Sequence, residues 1–304
     1  VDGRFTRGHD DGTGYGEEFL SASTAARGKV RWRQPSILPG FAPSLTITLV
    51  WLGVIVIGPL GVMLWFTAGL GWDGFFAIIT RPRVLGDLWV SLYTAFLASL
   101  VNVFFGLLVA WVLTRYRFPG RRLADALVDL PFALPTAVAG IALSTLYAPH
   151  GWIGSVLAPL GIQIAFQPAG IVVAMMFISL PFIVRTVQPV IEDLEAEQEE
   201  AASLMGATDL QIFLRISLPA ILPSLLTGFA LALARCLGEY GSIIFIAGNK
   251  PMVSEILPLL IVAQLDQFDY QGATAIGTLM LLVSFLLLLA INLLQAWVRK
   301  RHGG

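Results

Sequence analysis

The chain has 304 residues, of which 56% are apolar and only 13% charged, with a mean hydropathy of +0.78. Soluble domains average about 25% charged residues, so this composition excludes an ordinary soluble fold and makes a bilayer the solvent. A formal net charge of −1 leaves no electrostatic footprint for nucleic acid. The single cysteine, Cys236, excludes an internal disulfide, and no Cys/His cluster suggests a metal site. Cys236 lies in an apolar context and reads as a small packing residue.

Residues 1–40 are rich in Gly, Arg and Asp and read as a flexible polar tail. No cleavable signal peptide is expected. The tail lacks an apolar core, and the first apolar run is too long for one and is not followed by a small-residue cleavage site. A spanning helix needs about 20 predominantly apolar residues. Six candidates follow in order, at about 44–68, 88–114, 127–148, 168–190, 220–247 and 272–297. The first, second and sixth contain no Asp, Glu, Lys or Arg, and neither does the run from Leu130 to Val184. Pro149-His150-Gly151, Pro159, Gly161 and Pro168 divide that run into two spans. Without alternating polarity a membrane β-barrel is excluded. Pro59, Pro131, Pro135 and Pro181 fall within spans, where each removes a helix hydrogen bond.

Basic residues set the orientation. Arg27, Lys29, Arg31 and Arg33 precede the first span; Arg115, Arg117, Arg121 and Arg122 follow the second; Arg299, Lys300 and Arg301 end the chain. The alternate loops hold only Arg81 and Arg83, then none, then Lys250. Both termini and the loop between the fourth and fifth spans are therefore expected on the cytoplasmic side. Trp65, Trp72, Trp89, Trp111, Tyr116, Tyr147, Trp152 and Trp297 lie near span ends, as interface anchors do.

The loop between the fourth and fifth spans, about 192–219, is the one shaped polar segment. Leu194 to Met205 is rich in helix formers, and Gly206 ends it as a C-terminal glycine does. Thr208-Asp209-Leu210-Gln211 is a capping box for a second short helix reaching about Ile216, and Pro219 opens the next span. Glu192, Asp193, Glu195, Glu197, Glu199 and Glu200 make the first helix acidic. A solvated interfacial helix accounts for the charges alone; the glycine, the capping box and the spacing point to docking. A short amphipathic helix offers an apolar stripe to a partner's groove. Ala201, Ala202, Leu204 and Met205, then Leu210, Ile212 and Phe213, are candidates for that stripe, and Glu200 for pairing with a basic group.

Within the fifth span Arg235 and Glu239 are four residues apart, on one helical face. A lone charge at a span's centre costs about 2.5–3.5 kcal/mol on insertion scales. Two roles are open: a pair that fixes helix packing ahead of the Gly238/Gly241 turn, or a positive site on an anion pathway. Asn102, Gln188, Asn292 and Gln295 read as interhelical hydrogen-bonding groups.

The spaced pattern Glu200-Ala201-Ala202, Gly206, Ile216-x-Leu218-Pro219, set between the fourth and fifth of six spans, resembles the permease subunits of binding-protein-dependent ABC importers of the type I class. The segment 233–249, LARCLGEYGSIIFIAGN, is similar to sulfate/thiosulfate and molybdate permeases. QLDQFDYQGATAI at 264–276 favours the sulfate/thiosulfate permease T subunit, and LPFALPTAVAGIAL at 130–143 and LPFIVRTVQP at 180–189 fit the same group. The resemblance covers about 85–299; Lys250-Pro251-Met252 lies outside any fixed pattern.

The resemblance implies an all-α polytopic protein with six transmembrane helices, in the inner membrane of a bacterium. The expected organisation is a tail at 1–40, a permease domain at 41–299 with its core at 85–299, and a C-terminal tail at 300–304. It implies a pathway shared with a second permease, a related W-type subunit, two cytoplasmic ATPases and a periplasmic or lipid-anchored sulfate-binding protein. The expected ATPase-coupling residues are Glu200, Ala201, Ala202, Leu204, Met205, Gly206, Ala207, Thr208, Asp209, Phe213, Ile216 and Pro219. Arg235 and Glu239 are the candidate pathway residues. No phosphate loop of the G-x-x-x-x-G-K-[ST] type is present, so ATP and Mg are expected on the partner ATPase, with no cofactor in this chain. A molybdate or tungstate permease is the alternative within the class. A channel or secondary transporter would leave the two-helix loop unexplained. A membrane enzyme lacks support: no Ser/His, H-E-x-x-H or paired intramembrane Asp constellation exists, and His9, His150 and His302 all lie outside the spans.

Overall fold

The computed structural model describes residues 41–302, except the side chains of residues 41, 42, 196 and 297–302. The expected tail at 1–40 lies outside the described residues. Among those described, all regular structure is helical. The chain divides after Ile57 into two compact units. The described part of the first is the helix Phe41–Leu52 and a π-helical turn, Gly53–Ile57. The second unit carries everything from Gly58 onward.

The second unit is built on three helices, Pro82–Arg115, Pro168–Glu192 and Leu218–Leu237. In a bilayer, helices gain little from burying apolar side chains against one another, so close packing of small residues holds them together. Ala95, Ala98, Ala110, Ala174 and Ala232 are fully buried between them. A Cβ on Gly106 would lie 2.7 Å from Cγ2 of Ile183, and one on Gly228 would lie 3.1 Å from the Ile183 backbone. Between these helices Asn102 donates to the Met176 carbonyl at 2.8 Å and to Ser179 Oγ at 2.9 Å. Gln295 donates to the Leu226 carbonyl at 3.1 Å and ties the last helix, Tyr270–His302, to the body. Phe96, Leu100, Phe104 and Leu108 point outward, the face a lipid-embedded helix presents.

Five helices are long and apolar enough to cross a membrane: Pro43–Ala68, Pro82–Arg115, Pro168–Glu192, Asp209–Leu237 and Tyr270–Ala296. The passage expected as a span at 127–148 is broken into Arg121–Val128, Leu130–Ala133 and Thr136–Tyr147. The break before Thr136 has a local cause. Pro135 pushes Leu134 into an extended conformation (φ −86°, ψ 135°), as a residue before proline prefers.

The span expected at 220–247 stops at Leu237. Gly238 follows, and the Glu239 side chain turns back to accept the Ser242 N–H at 2.9 Å. A short helix, Ile243–Ile246, and an irregular segment lead to the apolar helix Leu257–Asp266, which the span search did not anticipate. At 10 residues it is too short to span, but Pro258 in its first turn is a start signal. Thr136–Tyr147 packs so closely on the 239–242 turn that a Cβ on Gly140 would lie 2.3 Å from the Ser242 carbonyl oxygen. Asp269, within the 264–276 motif, caps the last helix by accepting the Gly272 N–H at 2.8 Å.

Candidate coupling surface and buried charges

The 192–219 loop forms two helices meeting at a fixed bend. The first runs Ala196–Leu204. It ends in a Schellman arrangement: Ala207 N–H donates to the Ala202 carbonyl at 3.1 Å and Gly206 N–H to the Ser203 carbonyl at 2.9 Å. That closure needs a left-handed residue, and Gly206 has φ +85°. The capping box follows. Gln211 N–H donates to Thr208 Oγ1 at 3.4 Å, and Thr208 N–H donates to Gln211 Oε1 at 3.0 Å. The second helix does not stop at Ile216. Asp209–Ile212 passes through a π-helical turn, Phe213–Ser217, directly into Leu218–Leu237. Pro219 explains the wide turn: it has no N–H to donate, and its ring crowds the carbonyl four residues back. Loop and span are thus one helical stretch of 29 residues.

The side chains of this element divide by direction. Leu204 and Met205 are 90% and 82% exposed, and Glu200, Ala201, Thr208, Asp209 and Leu210 are exposed too. Ala202 is buried, and Ala207, Ile212, Phe213, Ile216 and Pro219 are half-buried. Phe213 packs edge-on against Trp111, with centroids 5.3 Å apart. Neighbouring glutamates also part company. Glu200 faces water, whereas Glu199 Oε1 accepts from Arg115 Nη2 at 2.7 Å and from Ser217 Oγ at 3.0 Å. The Arg115 guanidinium lies over the Trp111 ring, 5.3 Å from its centroid. In the sequence Arg115 reads as an orientation charge, Trp111 as an interface anchor and Glu199 as part of an acidic face, with Ser217 left unread; together they pin the loop to the end of the Pro82–Arg115 helix. A shallow groove of about 330 Å³ beside this contact is lined by Trp111, Phe213, Glu200 and Asp209 among others.

Arg235 and Glu239 form the expected pair, at 2.6 Å. Their surroundings differ: Glu239 is 2% exposed and Arg235 31%. Glu239 Oε1 also accepts the Ser242 N–H and hydroxyl, while Oε2 is held by Arg235. Arg235 keeps part of its guanidinium open.

Two further charged clusters went unread in the sequence. Arg185, inside the helix Pro168–Glu192, binds Asp129 with two bonds (2.8 and 2.6 Å), Asp125 at 2.7 Å and Gln188 at 2.8 Å. It holds the short Arg121–Val128 helix to that span. Asp125 and Asp129, four residues apart, and Arg185 and Gln188, three apart, were the available signals. The second cluster joins Arg83, Asp87 and Glu255.

Long apolar helices, a small-residue core and a polar helical loop continuous with a span define a polytopic helical membrane protein. The chain belongs to the family described as the binding-protein-dependent transport system inner membrane component, which matches residues 102–303. A probable sulfate transport system permease protein, cysT, of Nephroselmis olivacea is 50% identical over 257 residues, covering 84% of this chain and 90% of that one. The sulfate transport system permease protein CysT of Synechocystis is 52% identical over 254 residues, covering 84% and 89%. That of Escherichia coli K12 is 48% identical over 268 residues, covering 88% and 97%. Among solved structures, a bacterial ABC transporter that imports the acidic polysaccharide alginate shares the fold, with a TM-score of 0.70 and 19% identity over 83% of this chain and 93% of that one. The MetNI methionine ABC transporter, facing inward, gives a TM-score of 0.52 at 22% identity, covering 70% and 94%.

Proposed function

We propose that this chain is the T-type permease subunit of a sulfate/thiosulfate importer, coupled to its ATPase through the 200–219 loop. Membership of the family already makes it a multi-pass inner-membrane transport subunit of an ABC importer. It works with a second permease, separate ATPases that hydrolyse ATP, and a binding protein. Relatives about half identical over most of both chains, and named as sulfate permeases, support the cargo.

The observation that carries the coupling role is the continuity of loop and span. A partner bound at Leu204, Met205 and Leu210 would hold one end of a helical stretch whose other end carries Arg235 and precedes Glu239. Glu200 and Asp209 border the groove and suit a basic group on the ATPase. In this reading ATP and Mg stay on the ATPases, and this chain holds no cofactor. The second permease is a W-type subunit, both termini are cytoplasmic, and residues 1–40 and 300–304 are tails outside the permease domain at 41–299. Arg235, 31% exposed beside the buried Glu239, is the positive group facing the pathway.

The test is to purify the assembled transporter and measure ATP hydrolysis stimulated by the binding protein loaded with sulfate, thiosulfate or molybdate. Sulfate or thiosulfate should stimulate. Stimulation by molybdate alone would move the chain to the molybdate branch, and transport without an ATPase would refute the coupling role.

A further inference from the structure

Arg83, Asp87 and Ser91 lie on one face near the start of the Pro82–Arg115 helix, spaced by four residues. The segment 250–257 is seated along that face. Met252 N–H donates to Asp87 Oδ1 at 2.9 Å, Leu257 N–H donates to Ser91 Oγ at 2.7 Å, and Gly86 lies under Met252, where a Cβ would meet Cγ at 3.1 Å. Asp87 is 0% exposed and Glu255 4%.

The charges at this contact do not balance. Arg83 gives both Nε and Nη2 to Glu255, at 2.9 Å each. The same Nε lies 3.9 Å from Asp87 Oδ2. That oxygen is buried and has no hydrogen-bond donor. Both carboxylates thus border one nitrogen, Arg83 Nε, Glu255 at 2.9 Å and Asp87 at 3.9 Å, with Arg83 on the helix of Asp87 and Glu255 on the facing segment. Two carboxylates against one committed cation would leave a buried negative charge, a penalty of several kcal/mol. A buried carboxylate beside a second one, with a single cation between them, holds a proton rather than leaving both ionised.

We propose that Asp87 and Glu255 hold one proton between them, and that this proton latches the 250–257 segment onto the Pro82–Arg115 helix. With it, Asp87 Oδ2 becomes a donor to Glu255, and Arg83, Glu255 and Asp87 sum to zero charge. Losing it to solvent water leaves a net charge of −1 and turns a hydrogen bond into a repulsion. The latch therefore loosens as pH rises. This site does not depend on the identity of the cargo.

The wild-type transporter, assembled with its partners, would be followed by infrared spectroscopy across a pH titration. A protonated-carboxyl C=O band that bleaches at alkaline pH is expected, and it should be missing in Asp87→Asn. Absence of the band in the wild type, which needs no variant, would overturn the proposal. Amide hydrogen exchange gives a second reading. Protection of the Met252 and Leu257 amides, corrected for intrinsic rates, should fall at least about tenfold toward alkaline pH in the wild type. It should stay flat in Asp87→Asn, whose amide nitrogen donates as the shared proton did. Equal pH dependence in both proteins would also overturn it.

Discussion

Replacing Glu199 by Gln separates the two glutamates at the head of the loop. The variant keeps an oxygen to accept from Ser217 but loses the charge that meets Arg115 at 2.7 Å. Both side chains of the pair are 24% exposed, between a surface ion pair and a buried one. Exposed pairs contribute about 0–1 kcal/mol and charged hydrogen bonds about 1.5–3 kcal/mol. A loss of about 1–2 kcal/mol follows, which multiplies local opening by about 5–30. The effect should be confined to the loop, because the three-helix core is untouched. Hydrogen-exchange mass spectrometry of the full transporter would show faster exchange in Ala196–Leu204 and unchanged exchange in Pro168–Glu192. Glu200→Gln should leave the same amides unchanged and instead weaken ATPase stimulation. Exchange in Glu199→Gln equal to wild type would show that the Arg115 contact does not hold the loop.

Gly206→Ala places a Cβ in open space but at φ +85°, so its cost is conformational, about 1–2 kcal/mol; faster exchange at the Ala207 amide is the readout. Gly140→Ala drives a Cβ to 2.3 Å from the Ser242 carbonyl oxygen, and overpacking of about 1–3 kcal/mol or more should lower the melting temperature in detergent. Arg185→Gln leaves Asp125 and Asp129 facing each other without a cation, and Arg121–Val128 should become protease-sensitive while the spans stay intact. Arg235→Gln should lower sulfate turnover and, by leaving the buried Glu239 charge unpaired, also the melting temperature in detergent; wild-type turnover would remove Arg235 from the pathway.

What could be read in the sequence was local. Five apolar stretches, the Gly206 bend and the Thr208/Gln211 capping box depend on residues a few positions apart. The pairings that assemble the body are not local. Arg83 meets Glu255 across 172 positions, and Arg185 meets Asp125 across 60. Each of these residues looked like ordinary loop charge or passed unnoticed in an apolar run. The expected third span is broken into short helices for a different reason. Composition measures whether a stretch can enter lipid, whereas Pro135 and the Gly140 contact decide whether it stays one helix. Ala202 and Phe213 show the same limit: periodicity marks them as apolar, and only packing says that they face their own chain.

The π-helical turn at Phe213–Ser217 bears on direction as well as continuity. A turn closed five residues back holds about one residue more than an α-turn, and in an α-helix one residue is about 100° of rotation. The compass bearing of Leu204, Met205 and Glu200 around the axis of Leu218–Leu237 is therefore set by a single surplus residue. Deleting one residue there would leave the bend, the capping box and the span intact, yet turn the proposed docking face about a quarter-turn around the axis.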